Sequence, residues 1–148
     1  MCGIIASFTA SHGEHTPEMI LGIIKAFNLL KNRGPDTGSL VVKDTEILGF
    51  RRLAIVDPTV NGEQPFYSAT SRLLCNGEIY NHEKLKKDYD ISCSSDSDCE
   101  CILHLHDKYG FEHVGVCDPI LHLTASLLAH VAVRAFEQIP TKCGISRY

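Results

Sequence analysis

The sequence predicts one packed domain with a layered α+β fold, and three observations support this prediction. The chain begins with a strand pattern and a helix pattern, and several strand patterns follow before the next helices. This order lacks the regular strand–helix alternation that builds a parallel α/β sheet. The chain has 148 residues, enough for one domain of ordinary size. Hydrophobic residues make up 44% of the chain, so a packed core is possible and disorder is not expected.

The first third of the chain predicts a strand followed by a helix. Residues 2–8 are typical of a buried strand. Thr16 and Pro17 are typical of a helix start, with threonine as the cap and proline in the first turn. We expect this helix to end near Asn32, because residues 33–36, Arg-Gly-Pro-Asp, interrupt the pattern. The apolar residues at helical spacing are Ile20, Leu21, Ile24, Phe27 and Leu30.

The middle of the chain predicts more strands. Residues 38–42 and 45–53 resemble two paired strands around a turn at residues 43–44, and residues 54–56 continue the second strand. Residues 72–80 form another strand-like run. These segments supply the sheets of the predicted fold.

Two helices follow the strands. Asn81 begins one helix, which contains Leu85. Ser97 and Asp98 cap a second helix that runs through Lys108. Its apolar side consists of Ile102, Leu103 and Leu105.

Composition excludes several classes of protein. The net charge is −4 with both signs spread along the chain, so the sequence carries no nucleic-acid footprint. Residues 1–8 lack the basic start and the long apolar run of a cleavable signal. The cysteine count is seven, an odd number, and we expect reduced thiols in a cytoplasmic protein.

Cys2 is the first candidate for chemistry. If Met1 is removed, Cys2 carries a thiol and a free α-amino group on one α-carbon. The amine titrates near pH ~8, so it can accept the thiol proton and activate the nucleophile. The alternative is a small cysteine in a buried strand.

Four further residues carry candidate chemistry. Asn76 and Gly77 offer an amide and a backbone N–H that can stabilise an oxyanion, although Asn-Gly is also typical of a hairpin turn. Arg52 is a guanidinium in an apolar run, where it either holds a carboxylate or lies at a sheet edge. Asp98 is either a site residue or a helix cap.

Six short motifs occur in the order that is typical of a known family. Together they resemble class II glutamine amidotransferases, in the form of the glutaminase domain of glutamine-hydrolysing asparagine synthetase. That resemblance implies an N-terminal-nucleophile fold, a four-layer αββα sandwich. One departure is Asn32, where the family usually has histidine. The motifs are Met-Cys-Gly-Ile at 1–4, Arg-Gly-Pro-Asp at 33–36, Arg-Leu-Ala-Ile-Val-Asp at 52–57, Gln-Pro at 64–65, Asn-Gly-Glu-Ile-Tyr-Asn-His at 76–82 and Ser-Asp-Cys-Glu at 97–100.

The resemblance also implies a role for each site residue. Cys2 is implied as the nucleophile, with Asn76 and the backbone of Gly77 as the oxyanion hole. The implied substrate is L-glutamine, hydrolysed to glutamate and ammonia. The residues implied to bind it are Arg52 at the α-carboxylate, Glu78 and Asp98 at the α-ammonium, and Ile55 and Val56 beside them.

Cofactors and partners follow from the same resemblance. The glutaminase reaction needs no cofactor, whereas ATP and Mg²⁺ belong to a synthetase domain that we do not expect in this chain. A full-length asparagine synthetase subunit is a candidate partner. The alternative function is a non-catalytic, truncated remnant that binds glutamine or such a subunit.

A metal site is not predicted. Four potential ligands lie close together in the sequence, but on a helix they point in different directions and lack the usual zinc spacing. The four residues are Cys99, Cys101, His104 and His106.

The resemblance ends near Gly115. We therefore expect an incomplete glutamine amidotransferase domain at residues 1–115 and a divergent tail at residues 116–148. Pro119 can start an amphipathic helix that packs on an exposed sheet face in place of the missing strands. A membrane span is not expected, because it needs ~20 apolar residues and this stretch contains two histidines and an arginine. The apolar face of the expected helix is Ile120, Leu121, Thr124, Leu127, Leu128, Val131 and Ala135.

Overall fold

The computed structural model describes residues 2–9, 13–110 and 113–114, and it describes residues 119–120 and 126–129 as backbone. This part of the chain contains two antiparallel three-stranded sheets, a two-stranded pair and three α-helices. The mixture of helices and antiparallel strands agrees with the predicted α+β class.

The first sheet carries the amino-terminal strand. It consists of β1 (Gly3–Phe8), β2 (Thr37–Val42) and β3 (Glu46–Arg52), in the order β1–β3–β2. Five of the seven residues of the central strand β3 are buried. The expectation of a buried first strand is wrong beyond Gly3, because β1 lies at the edge of this sheet within the described structure and its other residues are half-buried or exposed.

The first helix begins and ends where the sequence predicts. Helix α1 spans Pro17–Leu29, and a 3₁₀ turn continues it over Leu30–Asn32. The Thr16 hydroxyl caps the helix by accepting a hydrogen bond from the Met19 backbone N–H at 3.3 Å. The start, the cap and the end near Asn32 are therefore confirmed.

The apolar face predicted for α1 is only partly buried in the described structure. Phe27 is its one buried residue, and the Arg51 guanidinium lies 4.0 Å from the centre of the Phe27 ring. Leu21, expected on the buried face, is 53% exposed. The helix thus contacts the first sheet mainly through its carboxyl-terminal half.

The second sheet is built from short strands. It consists of β4 (Phe66–Tyr67), β5 (Ser71–Leu74) and β8 (Ser126–Ala129), in the order β4–β5–β8. A separate antiparallel pair joins β6 (Glu78–Ile79) to β7 (Pro119–Ile120). The run predicted as one strand over residues 72–80 is therefore two strands with different partners.

The tail corrects a prediction. Residues 119–120 and 126–129 are strands rather than parts of an amphipathic helix. Strand β8 pairs antiparallel with β5, with Ser71 opposite Ala129 and Leu74 opposite Ser126. A sheet edge with unpaired backbone groups favours an added strand, and this tertiary contact overrides a helical sequence pattern. The rest of the expected helix lies outside the described residues.

A second correction concerns the end of β3. Residues 54–56 were expected to continue that strand, but β3 ends at Arg52 and the chain turns into a loop. The loop bends because its backbone N–H and C=O groups bond to side chains from the first sheet and its neighbouring turn, as the site geometry shows below.

The main core lies between the second sheet and the last two helices. Helix α2 spans His82–Asp88 and helix α3 spans Glu100–Tyr109, one residue beyond the predicted end. A smaller cluster of Leu48, Phe50 and Leu74 joins the two sheets. The buried members of the main core are Phe66, Leu73, Cys75, Ile79, Leu85, Cys99, Cys101, Ile102, Leu103, Leu105 and Val114.

Two remaining observations concern composition. None of the five cysteines in the described part, at positions 2, 75, 93, 99 and 101, forms a disulfide. Among the helices that the structure describes, none has the length and apolar character needed to cross a bilayer.

Candidate active site

The structure brings every predicted site residue to one cavity. This cavity, of about 290 Å³, lies where the end of β3, the segment after β5 and the start of α3 meet. A larger cavity of about 330 Å³ lies beside α3, and none of the predicted site residues lines it. The predicted residues around the first cavity are Cys2, Arg52, Ile55, Val56, Asn76, Gly77, Glu78 and Asp98.

Cys2 is fixed at the cavity by both of its functional groups. Its main-chain nitrogen donates a hydrogen bond to Asn76 Oδ1 at 2.9 Å. Its sulfur lies 3.3 Å from the Leu53 backbone nitrogen, which donates to it, and 3.7 Å from the Leu53 carbonyl oxygen. Residues far apart in sequence therefore hold the sulfur and the nitrogen of Cys2 in fixed positions.

The Arg-Gly-Pro-Asp turn supports this arrangement. Arg33 Nε donates to the Cys2 carbonyl oxygen at 3.2 Å. Asp36 bonds to both sides of the loop after β3: its backbone N–H donates to the Arg52 carbonyl oxygen at 3.1 Å, and its Oδ2 accepts from the Ala54 N–H at 2.8 Å. The turn therefore positions both Cys2 and the loop that lines the cavity.

Arg52 lies at the end of the central strand and is 3% exposed. Its guanidinium donates to the carbonyl oxygens of Thr59 at 2.7 Å and Val56 at 3.4 Å, and also to that of Asp57. The Glu63 carboxylate lies 3.9 Å away. The loop that was predicted as a strand is thus wrapped around Arg52, and its carbonyl groups orient a buried cation at the cavity wall.

Gly62 leaves room for that guanidinium. A Cβ at this position would lie 2.2 Å from Arg52 Nη2 and 2.7 Å from the Asp57 carbonyl oxygen. Any side chain here would therefore push the arginine out of place.

Asn76 and Gly77 do not form a hairpin turn in this structure. They connect β5 and β6, and these two strands pair with different partners. The segment is held instead by Gln64, whose Oε1 accepts a hydrogen bond from the Cys75 backbone N–H at 2.6 Å. Because Asn76 Oδ1 accepts from Cys2, the Asn76 NH₂ group is the part of the amide left to donate elsewhere.

Asp98 is buried and bonds across the fold rather than to its own helix. Its Oδ2 accepts from the Ile79 backbone N–H at 2.6 Å, whereas the cap residue of α3 is Cys99. The local interpretation of Asp98 as the helix cap is therefore wrong, and its carboxylate is oriented by β6.

Glu78 lies at the outer side of the cavity and is exposed. The Tyr80 hydroxyl donates to Glu78 Oε2 at 3.0 Å, and this hydrogen bond raises the pKa of Tyr80 above its ordinary value. Ile55 and Val56, also at the outer side, are 71% and 44% exposed. Two carboxylates and one guanidinium therefore surround the space in front of Cys2.

Two more thiols line the same cavity, at Cys75 and Cys99. A hydrogen bond with Cys75, together with burial, raises the pKa of the Cys99 thiol far above its ordinary value. Both effects therefore disfavour the thiolate form of Cys99.

Sequence reasoning missed the residues that hold the site together. The Leu53 N–H at the sulfur carries no sequence signal, because it is a backbone group. Gln64 was part of a motif but had no assigned role, and Gly62 in the same loop was not singled out. A buried glutamine and a glycine beside a buried arginine are visible only once the loop is folded.

The comparison with known proteins agrees with this geometry. Residues 1–122 match the family described as glutamine amidotransferase domain, and the chain belongs to that family. It is similar to asparagine synthetase [glutamine-hydrolyzing] 1 of Arabidopsis thaliana, with 35% identity over 123 residues that make up 81% of this chain and 20% of the relative.

Two further relatives give the same result. The asparagine synthetase [glutamine-hydrolyzing] of Zea mays is 40% identical over 123 residues, or 80% of this chain and 20% of the relative. A probable asparagine synthetase of Acanthamoeba polyphaga mimivirus is 40% identical over 117 residues, or 76% of this chain and 21% of the relative. The chain is a glutamine amidotransferase domain similar to that of asparagine synthetases, and the matches span about a fifth of their length.

Proposed function

We propose that this chain, after removal of Met1, hydrolyses L-glutamine to glutamate and ammonia with Cys2 as the nucleophile. The observation that carries the proposal is the position of Cys2: its nitrogen contacts Asn76 and its sulfur contacts the Leu53 N–H, at a cavity that also contains Arg52 and Asp98. Removal of Met1 turns that nitrogen into a free α-amino group next to the thiol.

The first step is attack on the side-chain amide of glutamine. The α-amine accepts the thiol proton, and the thiolate attacks the amide carbon. The Leu53 N–H stabilises the developing thiolate. The Asn76 NH₂ group and the Gly77 N–H donate to the oxyanion, and each such donor contributes about 2.7–4 kcal/mol in a transition state.

The second step releases ammonia and then glutamate. The protonated α-amine returns its proton to the leaving nitrogen, so ammonia departs and a thioester to Cys2 remains. Water, activated by the same amine, cleaves the thioester and restores the thiol. The reaction consumes one glutamine and one water, produces glutamate and ammonia, and uses no cofactor.

Charge at the cavity selects an amino acid as the substrate. The Arg52 cation binds the α-carboxylate, while Glu78 and Asp98 bind the α-ammonium group. Ile55 and Val56 form the adjoining wall. Fixing both charged groups places the side-chain amide at the thiol, which supplies much of the rate through orientation.

The four-layer αββα arrangement is part of the same proposal. Helix α1 contacts the first sheet, α3 contacts the second, and the cluster of Leu48, Phe50 and Leu74 lies between the sheets. This order of contacts supports a helix–sheet–sheet–helix stack.

The test is ammonia release from glutamine by the purified chain, with its intact mass measured in parallel. We expect turnover in chains that have lost Met1 and none in Cys2→Ala. A matched control carries an uncleavable amino-terminal extension, which keeps the thiol but makes the α-nitrogen an amide. Turnover by this control, or by Cys2→Ala, would contradict the mechanism.

The same assay distinguishes the enzyme from the alternative, a non-catalytic chain that binds glutamine. A chain that lacks Met1, binds glutamine and releases no ammonia is a binding protein rather than an enzyme. Its proposed partner is then a full-length asparagine synthetase subunit, and co-purification with such a subunit is the measurement that tests this.

A further inference from the structure

A second group of chemically active side chains lies where the segment before α3 packs against that helix. One ligand atom each from Cys93, Glu100 and His104 lies within 4.8 Å of the other two. Within the described part of the chain, this group is close enough to hold a metal ion. None of its members lines the proposed glutaminase cavity.

Two of the three ligand atoms have a separation that suits a tetrahedral site. Glu100 and His104 are four residues apart on α3, so they share one helix face, and His104 Nε2 lies 3.4 Å from Glu100 Oε1. Ligand atoms about 2.0–2.3 Å from a Zn²⁺ ion in tetrahedral geometry are separated by about 3.3–3.6 Å. The helical pair already has this separation, and the Cys93 sulfur lies within 4.8 Å of both of its ligand atoms.

The carboxylate is held in place by hydrogen bonds from the segment that carries Cys93. The backbone N–H groups of Ser94 and Ser95 donate to Glu100 at 2.9 and 2.8 Å, and their hydroxyls donate at 2.8 and 2.5 Å. Metal-binding carboxylates are typically oriented by such surrounding donors. These bonds fix Cys93 and Glu100 relative to each other.

Two of the three members are partly accessible, whereas Glu100 is buried. His104 and Ser92 line the larger cavity of about 330 Å³ beside α3. The Cys93 and His104 side chains are half-buried rather than buried. An ion can therefore enter from this cavity, and a water molecule can occupy a fourth position.

We propose that Cys93, Glu100 and His104 bind one Zn²⁺ ion, with water as the fourth ligand. Thiolate, imidazole and carboxylate are the ligands that zinc takes in proteins. The thiol releases its proton to the buffer when the metal binds. The ion ties the segment before α3 to the helix, and the site is independent of the proposed glutaminase reaction.

This site uses different residues from the four weighed in the sequence. Cys99 and Cys101 are buried in the core, and the His106 ring contacts Ser71 instead. Only His104 is shared. Cys93 becomes part of the group because the segment before α3 folds back onto that helix. The spacing of residues along the helix does not reveal this contact.

The experiment is a metal titration of the full chain after treatment with a chelator. Co²⁺ serves as the optical probe, because a bound thiolate gives a charge-transfer absorption, and Zn²⁺ affinity is measured by competition with a chromophoric chelator. We expect one equivalent bound and thermal stabilisation by Zn²⁺. Cys93→Ser should abolish the absorption and weaken Zn²⁺ binding by at least about 100-fold. Loss of a direct ligand should cost more affinity than loss of a residue that only hydrogen-bonds to a ligand.

Matched variants make the outcome decisive. Among the described cysteines Cys2 is the other half-buried one, and His113 is an exposed histidine outside the group. Cys2→Ala and His113→Gln should therefore both keep the absorption. Glu100→Gln should lose Zn²⁺ affinity, and circular dichroism checks that each variant is folded. Absence of binding, absorption that survives Cys93→Ser, or absorption lost in Cys2→Ala would overturn the proposal.

Discussion

Asp57 shows how one buried carboxylate organises the loop around Arg52. Its Oδ1 accepts from the Thr59 hydroxyl at 2.5 Å and the Thr59 N–H at 3.0 Å, and its Oδ2 accepts from the Asp96 N–H at 2.9 Å. The Thr59 hydroxyl lowers the pKa of Asp57 most; burial opposes this, and the Asp96 N–H and Arg52 lower it further. The charged form of Asp57 therefore stabilises the folded chain.

The pH dependence of stability tests this role. Because the folded pKa of Asp57 lies below its ordinary value of 3.8, its contribution is present above that pH and is lost as the pH falls through the folded pKa. We expect Asp57→Asn to lower the free energy of unfolding by about 1–3 kcal/mol at pH 7. The difference from wild type should shrink as the pH falls below about 4.

Urea unfolding of both proteins between pH 7 and pH 3 is the measurement. Asp90→Asn is the matched control, because Asp90 also has a positive φ, of 51° against 49° for Asp57, but is exposed. This control should stay within about 0.5 kcal/mol of wild type. The role would be contradicted if Asp57→Asn and wild type had the same free energy of unfolding at pH 7, or if their difference did not change with pH.

At the scale of elements, local sequence signals located most helices and strands, and tertiary contacts explain the failures. The cap at Thr16 and the break after Asn32 are encoded locally, so α1 was predicted correctly. The end of β3 was not, because the loop after it is bent by bonds to Arg52 and Asp36. No spacing in residues 54–56 reveals those partners.

Two glycines test how tightly the elements meet. Gly34 lies against β3: a Cβ there would be 2.1 Å from the Arg51 carbonyl oxygen and 2.5 Å from the Arg52 nitrogen. Gly22 lies within α1, and a Cβ there would meet nothing within 4 Å. The same substitution should therefore have opposite effects at the two positions.

We expect Gly34→Ala to destabilise the chain by about 1–3 kcal/mol through overpacking against β3. Gly22→Ala should stabilise it by about 0.5–1 kcal/mol, because alanine favours the helix. Thermal and urea unfolding measure both effects. Similar stability changes in the two variants would show that the Arg-Gly-Pro-Asp turn does not press on the strand.

At the scale of the whole molecule, the sequence predicted which residues converge but not how the chain closes around them. The eight predicted site residues come from four separated segments and line one cavity, while their catalytic and binding roles remain proposals. Motifs identified them because site chemistry restricts residue type. The pairing of β8 with β5 escaped prediction because a leucine- and alanine-rich segment suits a helix or a strand, and the free edge of β5 decides.

Proline substitutions distinguish the strand from the helix that the sequence pattern predicted. Leu127 and Leu128 lie opposite Leu73 and Arg72 of β5, and adjacent N–H groups of a strand point in opposite directions. One proline variant should therefore lose a ladder bond and about 1–3 kcal/mol of stability, while the other, whose N–H faces away from β5, should lose clearly less. In a helix both variants would cost about 3 kcal/mol. Urea unfolding of Leu127→Pro and Leu128→Pro measures the difference, and equal losses would refute β8 as the edge strand of the second sheet.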